Sequence, residues 1–325
     1  MKRNNFFNIH NINEFNEVAL EIFQFQAKSC KIYNQFLSHL KIDINGVKKV
    51  EEIPFLPIQF FKSHKILSAK KNAEQVFLSS GTTGNKQSKH YVTDLSIYEE
   101  SFTAGFENFY GKIEDYTILA LLPSYLERNG SSLIYMANSF IEKSNKSKSG
   151  FYLNNLDELK SNLIELDTLN EKVLLIGVSF ALLDLVESYN FKLKNTVVME
   201  TGGMKGRRKE LIREELHEVL SNGFGVDKIH SEYGMTELLS QAYSKGDGIF
   251  ECPPWMKILT RDPEDALTIL PEGKSGGINV IDLANINSCS FIATQDLGKT
   301  YKNGSFEVLG RFDDSDIRGC NLMVL

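Results

Sequence analysis

Apolar residues recur at helical spacing early in the chain. Phe15, Val18, Ala19, Ile22, Phe23 and Phe25 fall within residues 13–40 and predict a helical N-terminal cap over about 1–70. Between Glu51 and Ser68 the chain stays apolar, but Pro54 and Pro57 fix φ and lack a backbone donor, which limits regular helix there. Beyond residue 71 the pattern changes. Val76–Leu78, Tyr116–Leu122 (ended by Pro123), Val173–Gly177 and Thr196–Met199 are short continuous apolar runs, as buried strands are. Helical stretches separate them. Asp94 is placed to cap one that runs through Tyr98, Phe102 and Phe106. In another, between Arg207 and Asn222, Ile212, Leu216, Val219 and Leu220 share a face, with Arg and Glu over the rest. This alternation predicts parallel α/β layers over 71–277. From Ile278 the runs shorten to Ile278–Leu283, Ser290–Ala293 and Phe306–Leu309, a small β-rich subdomain with a C-terminal tail, 278–325. No repeat, low-complexity tract or long linker interrupts the chain, so 1–325 reads as a single domain.

Composition narrows the class. At 325 residues the chain can bury a large core without disulfide staples. A formal charge of −6 argues against a general nucleic-acid or anionic-membrane binder, which needs clustered positive charge. The Lys/Ser/Asn run at Lys143–Lys148 reads as a solvated loop. No apolar run reaches the ~18–20 residues that span a bilayer, and Met1–Phe15 lacks the apolar core of a secretory signal. Cys30, Cys252, Cys289 and Cys320 lie far apart with no Cys-x-x-Cys, so neither zinc nor a disulfide framework is expected. A reducing cytoplasm fits such thiols.

Four segments carry candidate chemistry. The first, Leu78-Ser-Ser-Gly-Thr-Thr-Gly-Asn-Lys86, follows a strand. Gly81 and Gly84 let the backbone turn and approach a ligand, Ser79, Ser80, Thr82 and Thr83 offer hydroxyls, and Lys86 and Lys89 offer charge. It lacks Walker A spacing. Alone it reads equally as a phosphate cradle or an ordinary turn. The second is Ser231-Glu-Tyr-Gly-Met-Thr-Glu237. Gly234 permits a tight backbone, Thr236 offers a hydroxyl to a phosphate oxygen, and Glu237 is a hard oxygen ligand suited to Mg²⁺. In the third, Thr294-Gln-Asp-Leu-Gly298, Asp296 is placed at a strand end to accept from ribose hydroxyls. In the fourth, Gly310-Arg-Phe-Asp-Asp314, Arg311 presents a planar fork for ribose or phosphate oxygens.

In this order the segments resemble those of the adenylate-forming enzymes, the superfamily of acyl-CoA synthetases and firefly luciferase. Within it the chain is similar to the acyl-protein synthetase (LuxE) family of bacterial fatty acid reductase. That likeness rests on Phe55–Lys62, Leu122–Arg128, Glu200–Gly206 and Arg318–Leu322. It implies an α/β fold, the large N-terminal domain of these enzymes, with layered α/β subdomains and a small β-rich one. It also implies roles. Ser79, Ser80, Gly81, Thr82, Thr83, Gly84 and Lys86 would hold the ATP phosphates, with Lys86 and Thr236 catalytic and Thr236 on the α-phosphate. Glu237 would bind Mg²⁺. Gly202, Gly203 and Tyr233, with Gly234 beside them, would line the adenine, and Asp296 and Arg311 would hold the ribose.

Superfamily members continue past the fourth segment into a mobile C-terminal domain that supplies a lysine and admits coenzyme A. This sequence stops 11 residues after Asp314, so that domain is expected to be absent and coenzyme A is not the expected acceptor. Near the end stands Cys320, and by the resemblance a C-terminal cysteine takes the acyl group as a thioester. Arg318 nearby would favour the thiolate. The other reading is an idle tail cysteine. Cys289 and His64 read as core residues. His230 suits a role at the adenylate or a structural one, and Tyr125, Glu127 and Arg128 an acyl pocket or a partner contact.

The reading is an ATP-dependent ligase that activates a long-chain fatty acid and acylates a cysteine thiol, for a partner acyl reductase. Two alternatives stand: acyl or aryl-acyl transfer to a carrier protein or small acceptor, and a catalytically weak nucleotide-binding scaffold subunit.

Overall fold

A computed structural model describes residues 6–68, 71–80, 87–123, 130–202 and 211–312. The chain divides into two compact units, Lys71–Pro253 and a discontinuous one of Met1–Lys70 with Pro254–Leu325.

The N-terminal part of the discontinuous unit is helical. In α1 (Ile12–Ser29), the Asn11 side chain caps the backbone N–H groups of Asn13 and Glu14. Phe15, Ala19, Ile22 and Phe23 are buried as their spacing requires, but Phe25 is exposed. A break at Cys30 starts α2 (Lys31–His39). The proline-punctuated stretch forms only a two-residue strand, β1 (Leu56–Pro57), and a single turn, α3 (Phe60–Ser63). His64 is exposed, with its ring stacked on Phe60 at 5.3 Å between centroids, so the expectation of core packing for it fails.

The Lys71–Pro253 unit opens with a hairpin of β2 (Gln75–Leu78) and β3 (Lys89–Val92). Helix α4 (Leu95–Tyr110) follows Asp94, whose carboxylate accepts from the Ser96 hydroxyl rather than from a backbone N–H. Then come β4 (Thr117–Leu121), α5 (Ser132–Ser144), β5 (Gly150–Phe151), α6 (Leu156–Thr168), β6 (Val173–Val178), α7 (Ser179–Ser188) and β7 (Thr196–Thr201). The unit closes with α8 (Arg213–Phe224), β8 (His230–Tyr233), β9 (Ala242–Ser244) and β10 (Ile249–Glu251). Its sheet runs β10-β9-β8-β7-β6-β4-β5; β5, β4, β6, β7 and β8 are parallel, and β9 and β10 are antiparallel. Every residue of β4 and β6 is buried, which is why both read as unbroken apolar runs. On α8 only Leu216, Leu220 and Phe224 are buried, while Ile212 and Val219 are exposed. A Cβ on Gly223 of α8 would lie 2.4 Å from the Val186 Cβ of α7, so the two helices meet where α8 has no side chain.

The discontinuous unit is completed by β11 (Met256–Arg261), β12 (Ser275–Asp282), β13 (Phe291–Thr300) and β14 (Phe306–Arg311), an antiparallel set in that order, with β1 parallel on β13. Fully buried Gln26 of α1 joins the two parts. Its amide donates to the carbonyls of Asn285 and Ile286 at 3.0 Å each and accepts from the Ser290 N–H at 2.9 Å. Phe23 and Tyr33 pack on Phe291, so helices and strands share one aromatic core. Among the described residues no helix is long and apolar enough to cross a membrane.

Candidate active site

Open parallel sheets offer ligand sites at the carboxyl ends of their strands. Here β7 ends in Thr201–Gly202, and Gly202 has φ +66°, a conformation that glycine adopts without strain. The Ser179 hydroxyl, at the start of α7, donates to the Gly202 carbonyl at 2.7 Å. Thr201 stands in register with Glu232 of β8, and its hydroxyl donates to Glu232 Oε2 at 2.5 Å. The other carboxylate oxygen folds back over Gly234, where a Cβ would come within 2.3 Å of Glu232 Oε1. A side chain at 234 would therefore displace the Glu232 carboxylate from this position. Burial pushes the Glu232 carboxyl up to about 7. The Thr201 hydroxyl bond works against the rise and the Glu200 charge adds to it.

The β2–β3 hairpin carries the first motif. The Ser79 N–H donates to the Ser88 carbonyl at 3.1 Å, and the Ser88 N–H to Ser79 Oγ at 2.9 Å. Ser79 is half-buried and Ser80 exposed. From β3, fully buried His90 donates from Nδ1 to the Thr236 carbonyl at 2.8 Å. That carbonyl lies in the turn in which the Leu238 N–H returns to Met235 O at 3.1 Å. Thr236 is half-buried, Glu237 is buried, and the Tyr233 ring meets Phe250 edge-on at 5.9 Å. Hydrogen bonds and strand pairing thus join the Ser79 hairpin, Gly202 and the Tyr233–Glu237 segment within this unit. His90, Ser179, Thr201 and Glu232 were not singled out from sequence. For His90 the available signal was a polar residue on the inward face of an alternating strand.

In the discontinuous unit Asp296 faces Arg311 across β13 and β14, and Arg311 Nε donates to Asp296 Oδ1 at 3.0 Å. Asp296 is buried and Arg311 exposed. Asp296 lies within β13 rather than at a strand end, a correction to the sequence reading. The register shifts beside it, between Leu297 and Gly298, where a Cβ on Gly298 would lie 2.4 Å from the Glu307 carbonyl. Arg261 of β11 braces the neighbouring strands by donating to the carbonyls of Thr294 on β13 (2.6 Å) and Ile278 on β12 (2.7 Å).

Gly81, Thr82, Thr83, Gly84, Lys86, Gly203 and Cys320 lie outside the described residues, as do Tyr125, Glu127, Arg128 and Arg318. Cys289 is buried, and its thiol is pushed well above the ordinary thiol value by burial and then by neighbouring Cys30. That accords with the core role expected for it. His230 sits at the amino end of β8, away from the strand ends that carry Gly202 and Gly234. It contacts the Tyr110 hydroxyl at 3.1 Å, and burial, then Lys245, Lys228 and His217, lowers it to about 4. This favours its structural reading. Among the described residues no three His, Cys, Asp or Glu side chains converge on a metal position. Mg²⁺ is commonly held by one or two carboxylates together with substrate phosphates and water, and that is the mode a single carboxylate such as Glu237 would serve.

Part of the chain, 71 residues or 22% of it, is 32% identical to a long-chain-fatty-acid–luciferin-component ligase of Photorhabdus luminescens, and covers 60% of that relative. The fold matches ATP-bound MatB from Rhodopseudomonas palustris with a TM-score of 0.54 and 20% identity, over 75% of this chain and 48% of MatB. It matches 2-hydroxyisobutyryl-CoA ligase, in its postadenylation complex with 2-HIB-AMP, with a TM-score of 0.68 and 12% identity, over 93% of this chain and 68% of that one. The chain thus spans about half to two thirds of the length of these relatives, and its α/β fold is that of the adenylate-forming large domain. The family profile described as "Acyl-protein synthetase, LuxE" matches residues 10–118 and 128–325, nearly the whole length, and the chain belongs to the LuxE acyl-protein synthetase family.

Proposed function

We propose that this protein is an ATP-dependent acid–thiol ligase that activates a long-chain fatty acid as its acyl-adenylate and passes the acyl group to a protein cysteine. A carboxylate oxygen attacks the α-phosphorus of ATP and the bond to pyrophosphate breaks. A thiolate sulfur then attacks the acyl carbon and AMP leaves. The observation that most supports this is the hydrogen-bonded linkage of the Ser79 hairpin, Gly202 and the Thr236–Glu237 turn at one end of a parallel sheet. In this reading Ser79, Ser80 and the loop through Lys86 hold the phosphates and Thr236 donates to the α-phosphate. Gly202, Gly203, Tyr233 and Gly234 receive the adenine, and Asp296 with Arg311 the ribose. Glu237 would hold Mg²⁺, whose charge offsets that developing between the α- and β-phosphates.

Cys320 is the proposed acceptor. Cys30 and Cys289 are buried with thiols shifted up, largely by that burial, and so are poor nucleophiles. The proposed consumer of the thioester is an acyl reductase, since a thioester is readily reduced to the aldehyde. The free thiols suit a reducing cytoplasm. The test is pyrophosphate release by the purified protein with ATP and a panel of fatty and aryl acids, followed by intact mass. A hydroxylamine-labile acyl adduct supports self-acylation. Pyrophosphate without an adduct points to a carrier or small acceptor, and no pyrophosphate with any acid points to the scaffold.

A further inference from the structure

We propose that His90 is a positioning residue for adenylation: its Nδ1–H holds the Thr236 carbonyl, and so sets the Thr236 hydroxyl and Glu237 carboxylate relative to the hairpin that ends in Ser79. The inference rests on the reading of Thr236 and Glu237 given above. This bond, 2.8 Å long, joins two elements 146 residues apart in sequence, from a side chain that is 1% exposed. The acceptor is a carbonyl oxygen, so the nitrogen facing it must carry the proton, and the neutral ring is the Nδ1–H tautomer. His90 pairs with Phe77 across the hairpin, two positions from Ser79, and Thr236 and Glu237 share the turn closed from Leu238 to Met235. A shift of the Thr236 carbonyl therefore moves both side chains against Ser79. Misplacement by about 1 Å at a reacting centre costs on the order of a hundredfold in rate.

Three variants separate the bond from the bulk. His90→Asn keeps an N–H donor at the δ position, His90→Gln moves it one atom further out, and His90→Phe keeps a ring without a donor. Pyrophosphate-release kcat should fall about tenfold to a hundredfold in His90→Phe, with the KM for the acid unchanged, and most of the loss should return in His90→Asn. Hydrogen exchange at the Leu238 amide should quicken in His90→Phe and not in His90→Asn. ¹⁵N-histidine NMR of the wild type should show His90 protonated at Nδ1. A merely structural role would lower the melting temperature of all three variants alike and leave kcat of the folded protein unchanged, which overturns the proposal. So does full turnover in His90→Phe, His90→Asn as slow as His90→Phe, or a ring protonated only at Nε2. If His90→Phe fails to fold, the pair His90→Asn and His90→Gln decides, and Gln faster than Asn overturns it. A wild type that releases no pyrophosphate would defeat the functional reading, while the tautomer and amide exchange would still test the tie.

Discussion

Glu232 offers the sharpest test of the polar cluster at the ends of β7 and β8. Its carboxyl is packed beside Thr201 and Glu200 of β7 and opposite Tyr243 of β9, and burial, more than the Glu200 charge, lifts it to about 7 from an ordinary 4.5. Between those two values the folded protein keeps a proton that the unfolded chain has released. Stability therefore falls as pH rises through that window and levels off above about 7. A gap of that size corresponds to at most about 3 kcal/mol by pH 8. Glu232→Gln stays neutral at every pH and keeps an oxygen to accept from the Thr201 hydroxyl. The variant should match the wild type at pH 5 and melt higher at pH 8, by on the order of 5 °C. Scanning calorimetry of both proteins at several pH values measures the difference, and the groups that both proteins share largely cancel. A difference that is the same at all pH values, or that grows toward acid, would refute the assignment of a proton to this carboxyl in the fold.

Glu237→Gln should leave folding intact and weaken magnesium-dependent adenylation, because one anionic oxygen ligand is lost at nearly constant shape; an unchanged magnesium titration of pyrophosphate release would sink the assignment. Asp296→Ala should raise the KM for ATP about tenfold to a hundredfold, since a charged acceptor is worth roughly 1.5–3 kcal/mol. Unchanged ATP affinity with a collapsed melting temperature would make the Asp296–Arg311 pair structural instead. Cys320→Ser should still release pyrophosphate in a first turnover yet form no hydroxylamine-labile adduct. An undiminished adduct, or one mapped by peptide mass to Cys289, removes the acceptor role from Cys320.

The sequence by itself determined the sheet core, the family and the candidate chemistry. Val173–Gly177 reads as a strand because residues covered on both faces must be apolar without interruption, and Thr196–Met199 because its apolar, β-branched run continues into the buried part of β7. The four motif segments were legible because their glycines, hydroxyls and charges are local and ordered along the chain. Hydrophobic period states that a side chain is buried, but not what buries it. Nothing near Gln26 announces a bond to Ser290, 264 residues away, and that contact unites the N-terminal helices with the C-terminal strands. Short strands of mixed polarity such as His230–Tyr233 carry too little period to be read. Ile212 and Val219 satisfied the helical face and are exposed, because α8 meets α7 through Gly223 and not through the whole apolar stripe. The tie from His90 to Thr236 and the fold of Glu232 over Gly234 likewise exist only once distant segments are in place, since both depend on which groups meet across the structure.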